Sequence, residues 1–289
     1  MTQNKAKQQR ISRVDILVEK GQEELLTDKI YMLAGKGFWV EDQDDLVLLK
    51  CYPDEPDAFM HYLSLSGLKI ANVAIEKEEP KDYAELTRQY FRPIRIGDLT
   101  IRAPWNKKKG NGREIIIEPG MAFGTGRHES TRIVVKLMGD VDFEGKTVLD
   151  IGCGSGILAL YAHLLGAGII YAVDNDHDAV LNARKNLSLN GADNINVACA
   201  QLQEVHEAFD IVLANIDIKT FSEHSTKIAS LVGKDGLLFI SGILRKNKNQ
   251  LLSLFPGWSV VQDYQKNSWC GFLLSNERLN INFQGLIFS

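Results

Sequence analysis

The sequence predicts an α/β chain: a doubly wound sheet of seven strands, preceded by a small α+β domain. Three observations lead to this class. Strand-like and helix-like segments alternate after residue 115, a glycine-rich turn at 151–156 joins a strand to a helix, and a charged, proline-broken stretch at 76–81 divides the chain. Such alternation requires right-handed crossovers, which produce a parallel sheet with helices on both faces.

Length and composition allow two domains and argue against several classes of protein. The chain has 289 residues, of which 45% are hydrophobic, so it can bury a large core. Its formal net charge of −4 does not indicate a nucleic-acid binder. No apolar run reaches the length of a membrane span, and residues 1–10 lack the apolar core of a secretory signal. We therefore expect a protein without a membrane anchor.

The cysteines are scattered along the chain without any C-x-x-C spacing. They stand at Cys51, Cys153, Cys199 and Cys270. This spacing argues against a structural zinc site or a disulfide framework and favours the reducing cytoplasm. We expect no metal, and we expect Cys153 to fill a small space in the glycine turn.

The first eighty residues predict a ferredoxin-like domain. Residues 13–18 alternate with a period of two, as in a strand, and residues 22–34 carry apolar side chains on one face, as in a helix. The segments that follow predict two strands, a helix and a last strand, at 38–40, 46–50, 55–65 and 69–77. The resulting order, β-α-β-β-α-β, is that of the ferredoxin-like fold.

The charged stretch at 76–81 predicts the end of this first domain. A linking helix at 83–91 and strand-like segments at 99–105 and 114–117 follow it. The lysine-rich residues 106–112 between those segments favour a solvated hairpin tip over a substrate-docking patch. We therefore predict a basic tail, a ferredoxin-like domain, a linker, a catalytic domain and a second tail, at 1–10, 11–79, 80–112, 113–275 and 276–289.

The remaining segments supply the seven strands and their helices. Strands are predicted at 147–151, 169–173, 195–199, 210–215, 237–242, 258–264 and 269–274. Helices are predicted between them at 157–165, 177–189, 218–232 and 246–254. The last two strands are separated only by a polar turn, so we expect an antiparallel edge. Residues 275–289 are equally compatible with an added edge strand and a disordered tail.

The glycine turn limits the choice of ligand. Gly152, Gly154 and Gly156 read G-x-G-x-G, whereas a dinucleotide turn has its third glycine one position later, where Ile157 stands. A glycine-rich turn brings bare backbone N–H groups close to a ligand. With Asp150 just before it, this pattern resembles the first motif of the class I S-adenosylmethionine-dependent methyltransferases.

Asp174 ends the second strand of the sheet, beside the glycine turn. A carboxylate at that strand tip can accept hydrogen bonds from both hydroxyls of a ribose. The alternative is a helix N-cap, because Asp174, Asn175 and Asp176 all precede the helix that begins near His177. We favour ribose binding for Asp174 and a cap role for Asn175 or Asp176.

Three further polar residues end strands of the sheet or follow them. Asp150 is expected to brace the glycine loop through backbone hydrogen bonds, and in the methyltransferase class it also helps to hold the methionine part of the cofactor. Asn215 offers one acceptor and two donors, which can orient an amine without protonating it; the alternative is an asparagine that closes a turn. Asp217 can attract a cationic substrate or cap the helix from residue 218.

Residues 118–131 form a second glycine-containing loop before a helix. The hydroxyls of Thr125, Ser130 and Thr131 are candidates for binding the carboxylate or amine of the cofactor. His128 is more typical of a hydrogen-bonded loop histidine than of a general base.

Taken together, these motifs resemble the ribosomal protein L11 methyltransferase (PrmA) family. The resemblance rests on Ala-Phe-Gly-Thr-Gly-x-His-x-x-Thr at 122–131, the glycine turn with Ile157 and Leu158, Ala-Asn-Ile at 214–216 and Ser-Gly-Ile-Leu at 241–244. It covers residues 10–274 and is densest at 115–245. Departures from the family pattern are Arg127, Ser130, Asp217 and the tail past 274.

The resemblance implies a function and the residues that perform it. It implies methylation of lysine side chains and of the N-terminal α-amine of ribosomal protein L11, with S-adenosyl-L-methionine as cofactor. It matches Thr131, Gly152, Asp174 and Asn215 to the cofactor positions of the family. Our own hypothesis is that Asn215 is the catalytic residue, orienting the amine together with nearby backbone carbonyls, while the loop at Phe123 helps to exclude water. We add Asp150, Gly154 and Gly156 to the cofactor site from the motif itself.

The resemblance also implies where and with what the protein acts. In that family a small N-terminal domain recognises ribosomal protein L11. We expect the same partner here, and a monomer that acts in the cytoplasm with ribosomal RNA nearby. Residues 1–10 are more typical of a frayed tail than of an arm that contacts the ribosome. Two alternatives stay open: the same chemistry on another protein, small-molecule or nucleic-acid amine, and a non-catalytic interaction module of the same fold.

Overall fold

A computed structural model provides the structure of the chain. It describes residues 11–19, 38–43, 45–53, 55–65, 69–78, 93–108, 112–118, 126 and 128–276. The chain divides into two compact units, Met1–Thr87 and Arg88–Ser289, which are described separately below. The predicted domain boundaries at 79 and 112 stay predictions. No helix in the described ranges is both long and apolar enough to cross a bilayer.

The first unit contains a four-stranded antiparallel sheet in the order β2-β3-β1-β4. Its strands are β1 (Ile11–Glu19), β2 (Phe38–Gln43), β3 (Leu46–Cys51) and β4 (Ile70–Glu78). One helix, α1 (Pro56–Leu65), lies between β3 and β4 in the chain. The central pair, β1 and β3, is the arrangement expected of a ferredoxin-like sheet. The predicted helix at 22–34 lies outside the described residues.

Alternation along β1 and β3 builds the core of this unit. Side chains two residues apart in a strand share a face of the sheet, and here the apolar ones face the helix. Phe59 and Leu63, one turn apart on α1, complete the cluster. The strand residues in this core are Val14, Ile16, Val18, Val47, Leu49 and Cys51.

The second unit begins with a small sheet that the sequence predicted only in part. It comprises β5 (Ile94–Ile96), β6 (Leu99–Arg102) and β7 (Arg113–Ile116). Strands β6 and β7 pair in parallel. The hairpin tip predicted at 106–112 is therefore wrong, because a hairpin joins antiparallel strands. Strand β6 also ends three residues before the predicted position 105, because the N–H of Ala103 donates to Oδ1 of Asn106 and Pro104 has no N–H to donate to a ladder.

The main sheet of the second unit has seven strands, as predicted. Their order is β10-β9-β8-β11-β12-β14-β13, and β14 is antiparallel to both of its neighbours. The strands are β8 (Thr147–Ile151), β9 (Ile169–Asp174), β10 (Asn196–Cys199), β11 (Phe209–Asn215), β12 (Val232–Leu244), β13 (Ser259–Lys266) and β14 (Trp269–Ser275). Strand β12 is much longer than the predicted 237–242.

Helices cover both faces of this sheet, and an apolar cluster lies on each face. They are α2 (Glu129–Met138), α3 (Ile157–Leu164), α4 (His177–Leu189), α5 (Ile218–Ser230) and α6 (Lys248–Ser253). The helix predicted at 83–91 and the tail past residue 276 lie outside the described part of the chain.

The strand order places the predicted site residues side by side. Strand β8 pairs in parallel with β9 on one side and β11 on the other, with Ile151 opposite Val173 and Ala214. The next residues of the three strands are Gly152, Asp174 and Asn215. The direction in which successive strands are added reverses at β8, and this reversal is where open α/β sheets bind ligands.

Candidate active site

The glycine turn between β8 and α3 requires glycine for two separate reasons. The backbone φ angles of Gly152, Gly154 and Gly156 are 65°, 52° and 77°, in the left-handed region that other residues resist. A Cβ atom on Gly152 would also lie 2.8 Å from Cγ2 of Ile216. The turn therefore leaves bare backbone at the carboxyl edge of the sheet.

The N–H groups of this turn are used inside the protein, contrary to the expectation that they face a ligand. Gly152 and Cys153 both donate to the carbonyl of Val173, at 2.8 and 3.1 Å. Gly154 donates to Oδ2 of Asp174 at 2.9 Å, and Gly156 donates to the carbonyl of Cys153 at 2.8 Å. What these glycines provide is the absence of a side chain, which lets a ligand approach the backbone closely.

Asp174 is tied to the turn and keeps acceptor capacity. Besides Gly154, the backbone N–H of Asp176 donates to its Oδ1 at 3.0 Å. A carboxylate oxygen has two lone pairs, so each oxygen can accept one further hydrogen bond. The cap of α4 is Asp176, whose side chain accepts from the N–H of Asp178. Of the two residues predicted as possible caps, the structure selects Asp176 over Asn175.

Asp150 lies beneath the turn, with 1% of its surface exposed. Its Oδ2 accepts a hydrogen bond from the N–H of Ala159 at 3.1 Å, so it braces the first turn of α3 and not the glycine loop. This bond fills a need, because Gly156 is the N-cap of α3 and has no side chain. Burial raises the pKa of the Asp150 carboxyl to about 8, the Ala159 bond opposes the rise, and the charge of Asp174 adds to it.

Asn215 and Thr131 meet across the site. Nδ2 of Asn215 donates to Oγ1 of Thr131, a fully buried residue on the first turn of α2, at 3.4 Å. Within the described residues, the buried Oδ1 of Asn215 accepts no hydrogen bond. A buried carbonyl oxygen without a donor is costly, and it is the group that an amine N–H of a ligand would satisfy.

His128 begins α2 as its N-cap, in keeping with a hydrogen-bonded histidine. Its Nδ1 accepts from the N–H of Ser130 at 3.2 Å, and its ring meets Trp269 edge to face at 4.5 Å. Burial lowers the pKa of the imidazole to about 4, and nearby Glu129 opposes the shift. The ring is therefore neutral at pH 7. Phe123 and Thr125 lie outside the described residues.

Asp217 is the N-cap of α5, which was one of its two predicted roles. Its carboxylate accepts from the backbone N–H groups of Lys219 and Thr220, at 2.8 and 3.0 Å. It also accepts from the Thr220 hydroxyl at 2.8 Å. These bonds confirm the cap role, and attraction of a cationic substrate stays a prediction.

Two buried polar residues behind the site were missed from the sequence. Ser241 Oγ donates to the carbonyl of Ser130 at 2.8 Å. Asn186 Nδ2 donates to the carbonyl of Ser155 at 2.9 Å, and its Oδ1 accepts from the N–H of Glu118 at 2.9 Å. A signal was present for the second, since asparagines at 182, 186 and 190 recur every four residues on one helix face.

The polar groups at this edge of the sheet fit a ligand that carries vicinal hydroxyls and an amino group. Asp174 has acceptor capacity for the hydroxyls, the glycine turn presents backbone without side chains, and Asn215 Oδ1 has no donor among the described residues. S-adenosylmethionine has a ribose and an amino-acid group, so the residues present fit this cofactor. The described residues of the site position a ligand through hydrogen bonds, which suits a reaction driven by positioning.

Comparisons with known proteins point to one family. A family model described as "Ribosomal protein L11 methyltransferase (PrmA)" matches residues 7–277. A ribosomal protein L11 methyltransferase of Thermoanaerobacter pseudethanolicus is 35% identical over 214 residues, 72% of this chain and 70% of that protein. One of Clostridium perfringens is 34% identical over 255 residues, 85% of this chain and 80% of that protein. The crystal structure of a ribosomal protein L11 methylase from Lactobacillus delbrueckii subsp. bulgaricus matches with a TM-score of 0.61 at 26% identity, covering 64% of this chain and 98% of that one.

Proposed function

The chain belongs to the ribosomal protein L11 methyltransferase family, and we propose that its substrate is ribosomal protein L11. It is an S-adenosylmethionine-dependent methyltransferase. The proposed acceptors are lysine side chains and the N-terminal α-amine. The observation that carries the proposal is the convergence of Asp174, the glycine turn and the Thr131–Asn215 pair at one edge of the sheet.

Each residue at this edge has a distinct proposed part in binding the cofactor. The Asp174 carboxylate accepts hydrogen bonds from the ribose hydroxyls, and Gly152, Gly154 and Gly156 allow close approach of the backbone. The Thr131 hydroxyl, whose oxygen accepts from Asn215, has its own hydrogen available for the cofactor carboxylate. Asp150 supports the site by holding the start of α3.

The cofactor supplies a methyl group on a sulfonium, which is already a good leaving group. The remaining requirement is an amine with a free lone pair, held in line with that methyl group. We assign this orientation to Oδ1 of Asn215, which can accept an amine N–H while the lone pair stays free. An uncharged amide suits the task, because a carboxylate there would stabilise the unreactive ammonium form.

The two proposed kinds of acceptor differ in how they reach the neutral state. An α-amine has an unperturbed pKa of about 7.7–8.0, so part of it is neutral near pH 7. A lysine side chain has an unperturbed pKa of about 10.4, so it must first lose its proton to water as it leaves bulk solvent. Methylation of the α-amine therefore depends less on the pocket than methylation of lysine does.

The proposal extends to the setting of the reaction. We place the enzyme in the cytoplasm, as a monomer that works close to ribosomal RNA, with the first unit recognising the ribosomal protein. Asp217, a departure from the family pattern, is explained by the cap of α5 and gives no reason to prefer another amine.

A methylation assay tests the substrate directly. The chain is incubated with radiolabelled S-adenosylmethionine and each purified ribosomal protein, and mass spectrometry of the labelled product identifies the amines. We expect label in L11, on lysines and at the N-terminus. Label confined to another protein, or to small amines, would exclude L11 as the substrate and leave the methyltransferase activity standing.

A further inference from the structure

Ser241 stands directly behind the Asn215 side of the site. It ends the regular part of β12 and pairs in register with Asn215 on the neighbouring strand β11. It is fully buried and carries a hydroxyl within a segment, Phe-Ile-Ser-Gly-Ile-Leu, that is otherwise apolar or glycine. A buried hydroxyl in such a strand needs a partner, and here that partner is the carbonyl of Ser130 at 2.8 Å.

The two register partners hold two consecutive residues of one helix. Ser241 binds the carbonyl of Ser130, and Asn215 binds the side chain of the next residue, Thr131. Both acceptors belong to the first turn of α2, so the tips of β11 and β12 fix that turn together. The Asn215–Thr131 contact is long, at 3.4 Å, and a small displacement of the turn would break it.

Helix α2 packs closely against the sheet beside Ser241. A Cβ atom on Gly271 of β14 would lie 2.5 Å from Cγ2 of Ile133 on α2 and 3.3 Å from Oγ of Ser241. The helix therefore rests directly on the backbone of β14, where only glycine fits. Within this packing, the Ser241 hydrogen bond is a directional contact between β12 and the first turn of the helix.

We propose that Ser241 is a positioning residue for methyl transfer, acting through the Ser130–Thr131 peptide to hold the Asn215 amide in its working orientation. The inference rests on the proposed function of Asn215. With Thr131 in place, Nδ2 of Asn215 has an acceptor and Oδ1 stays available for the substrate amine. Without the Ser241 bond the first turn of α2 shifts, and Nδ2 of Asn215 loses its hydrogen bond to Thr131. The amide can then rotate so that Oδ1 no longer faces the substrate amine.

A double-mutant cycle tests this, with kcat for methylation of L11 and the calorimetric Kd for S-adenosylmethionine as the two measured quantities. We expect Ser241→Ala to lower kcat about tenfold and raise that Kd about threefold, as loss of one buried hydrogen bond allows. Adding Ser241→Ala to Asn215→Ala should then change kcat by less than about twofold, because the residue through which Ser241 acts on the amine is gone.

The matched control is Ser275→Ala on β14, which removes another fully buried hydroxyl of the same sheet, opposite Leu237 and away from the carboxyl ends of the parallel strands. It should leave kcat unchanged whatever it does to the melting temperature. If Ser241→Ala does not fold, Ser241→Cys keeps the volume and replaces a strong donor by a weak one, and its kcat should fall in the same direction. A Ser241 effect that persists in full beside Asn215→Ala, or that matches the Ser275 control, overturns the inference.

The cofactor measurement separates this inference from the proposed function. If the unmodified chain fails to methylate L11, the proposed substrate is wrong, and the Kd still reports whether Ser241 holds the turn that carries Thr131; an unchanged Kd in Ser241→Ala would then overturn the inference. If the unmodified chain methylates L11 and the effects of the two substitutions on kcat multiply, L11 remains the substrate and Ser241 does not act through Asn215.

Discussion

At the scale of single residues, environment decides which of several chemically suitable side chains can act. Asp150 and Asp174 are both acids at strand tips, but Asp150 is buried beneath the turn with a raised pKa, whereas Asp174 is partly open with spare lone pairs. Asn215 differs from both, because its buried oxygen has no donor among the described residues. These differences lead to separate predictions for Asn215 and Asp174.

Replacing Asn215 by alanine should slow methyl transfer much more than it weakens cofactor binding. The amide is proposed to orient the amine in the transition state, and loss of such a group lowers kcat on the order of 100-fold. Single-turnover kinetics with saturating S-adenosylmethionine measures this effect, and calorimetry supplies the Kd. An Asn215→Ala enzyme that methylates at the unmodified rate would refute the assignment.

Replacing Asp174 by alanine should act mainly on the cofactor. Loss of charge-assisted bonds to the ribose raises the Kd for S-adenosylmethionine by about 10- to 100-fold. The control is Asp176→Ala, two residues away, which loses only the cap of α4 and should change that Kd by less than about twofold. Equal effects of the two substitutions on the Kd would mean that Asp174 has no direct contact with the cofactor.

At the scale of elements, the site depends on how closely strands and helices approach each other. The turn between β8 and α3 is held by hydrogen bonds to Val173 and Asp174 of β9. Two strands and a helix therefore meet at this one short segment. The start of α2 is likewise fixed by Asn215, which ends β11, and by Ser241, its register partner on β12. Side chains at these junctions are limited by space as well as by chemistry.

A substitution in the turn should therefore disturb both stability and binding. Gly152→Ala forces a non-glycine residue to a φ of 65° and brings its Cβ to 2.8 Å from Ile216. The left-handed conformation alone costs about 1–2 kcal/mol, so we expect a lower melting temperature together with loss of S-adenosylmethionine binding. Thermal denaturation and calorimetry measure the two effects.

Gly145 provides the matched comparison for this substitution. Its φ is 68°, and a Cβ atom there would meet nothing within 4 Å. Gly145→Ala should show the conformational cost, with a smaller fall in melting temperature than Gly152→Ala, and should bind the cofactor normally. Normal binding by the Gly152 variant would show that the turn is not part of the cofactor site.

At the scale of the whole molecule, one buried carboxyl links stability to pH. Asp150 has a usual pKa near 3.8 and a folded-state pKa of about 8, raised first by burial. Between those values the folded chain binds one more proton at this site than the unfolded chain. Stability due to this group is therefore greatest below the lower pKa and declines as the pH rises toward the upper one.

Asp150→Asn should remove this dependence, because an amide is neutral at every pH and can still accept from Ala159. The melting temperature of the variant relative to the unmodified chain should rise between pH 5 and pH 7, on the order of 3 °C per pH unit. Thermal denaturation at several pH values measures the difference. A constant or shrinking difference across that range would show that Asp150 is ionised in the folded protein.

Much of the architecture and of the site was predictable because the relevant patterns are local. Alternating segments located the seven strands of the main sheet, and the glycine turn followed by Asp174 and Asn215 located the site. Carboxyl ends of parallel strands meet at one edge, so chain order alone brings those residues together. Ser241 was not predictable, since its partner Ser130 is 111 residues away and depends on how α2 docks.

The sequence by itself determined the fold class, the edge of the sheet that carries the site and the residue types gathered there, because periodicity and turn chemistry act over a few neighbouring residues. Only the tertiary structure decided how their hydrogen bonds are distributed. It directed the turn amides to Val173 and Asp174, Asp150 to α3, and β7 to a parallel position beside β6. The physical reason is that a donor pairs with whichever acceptor strand register and helix docking bring near, and those contacts join distant parts of the chain.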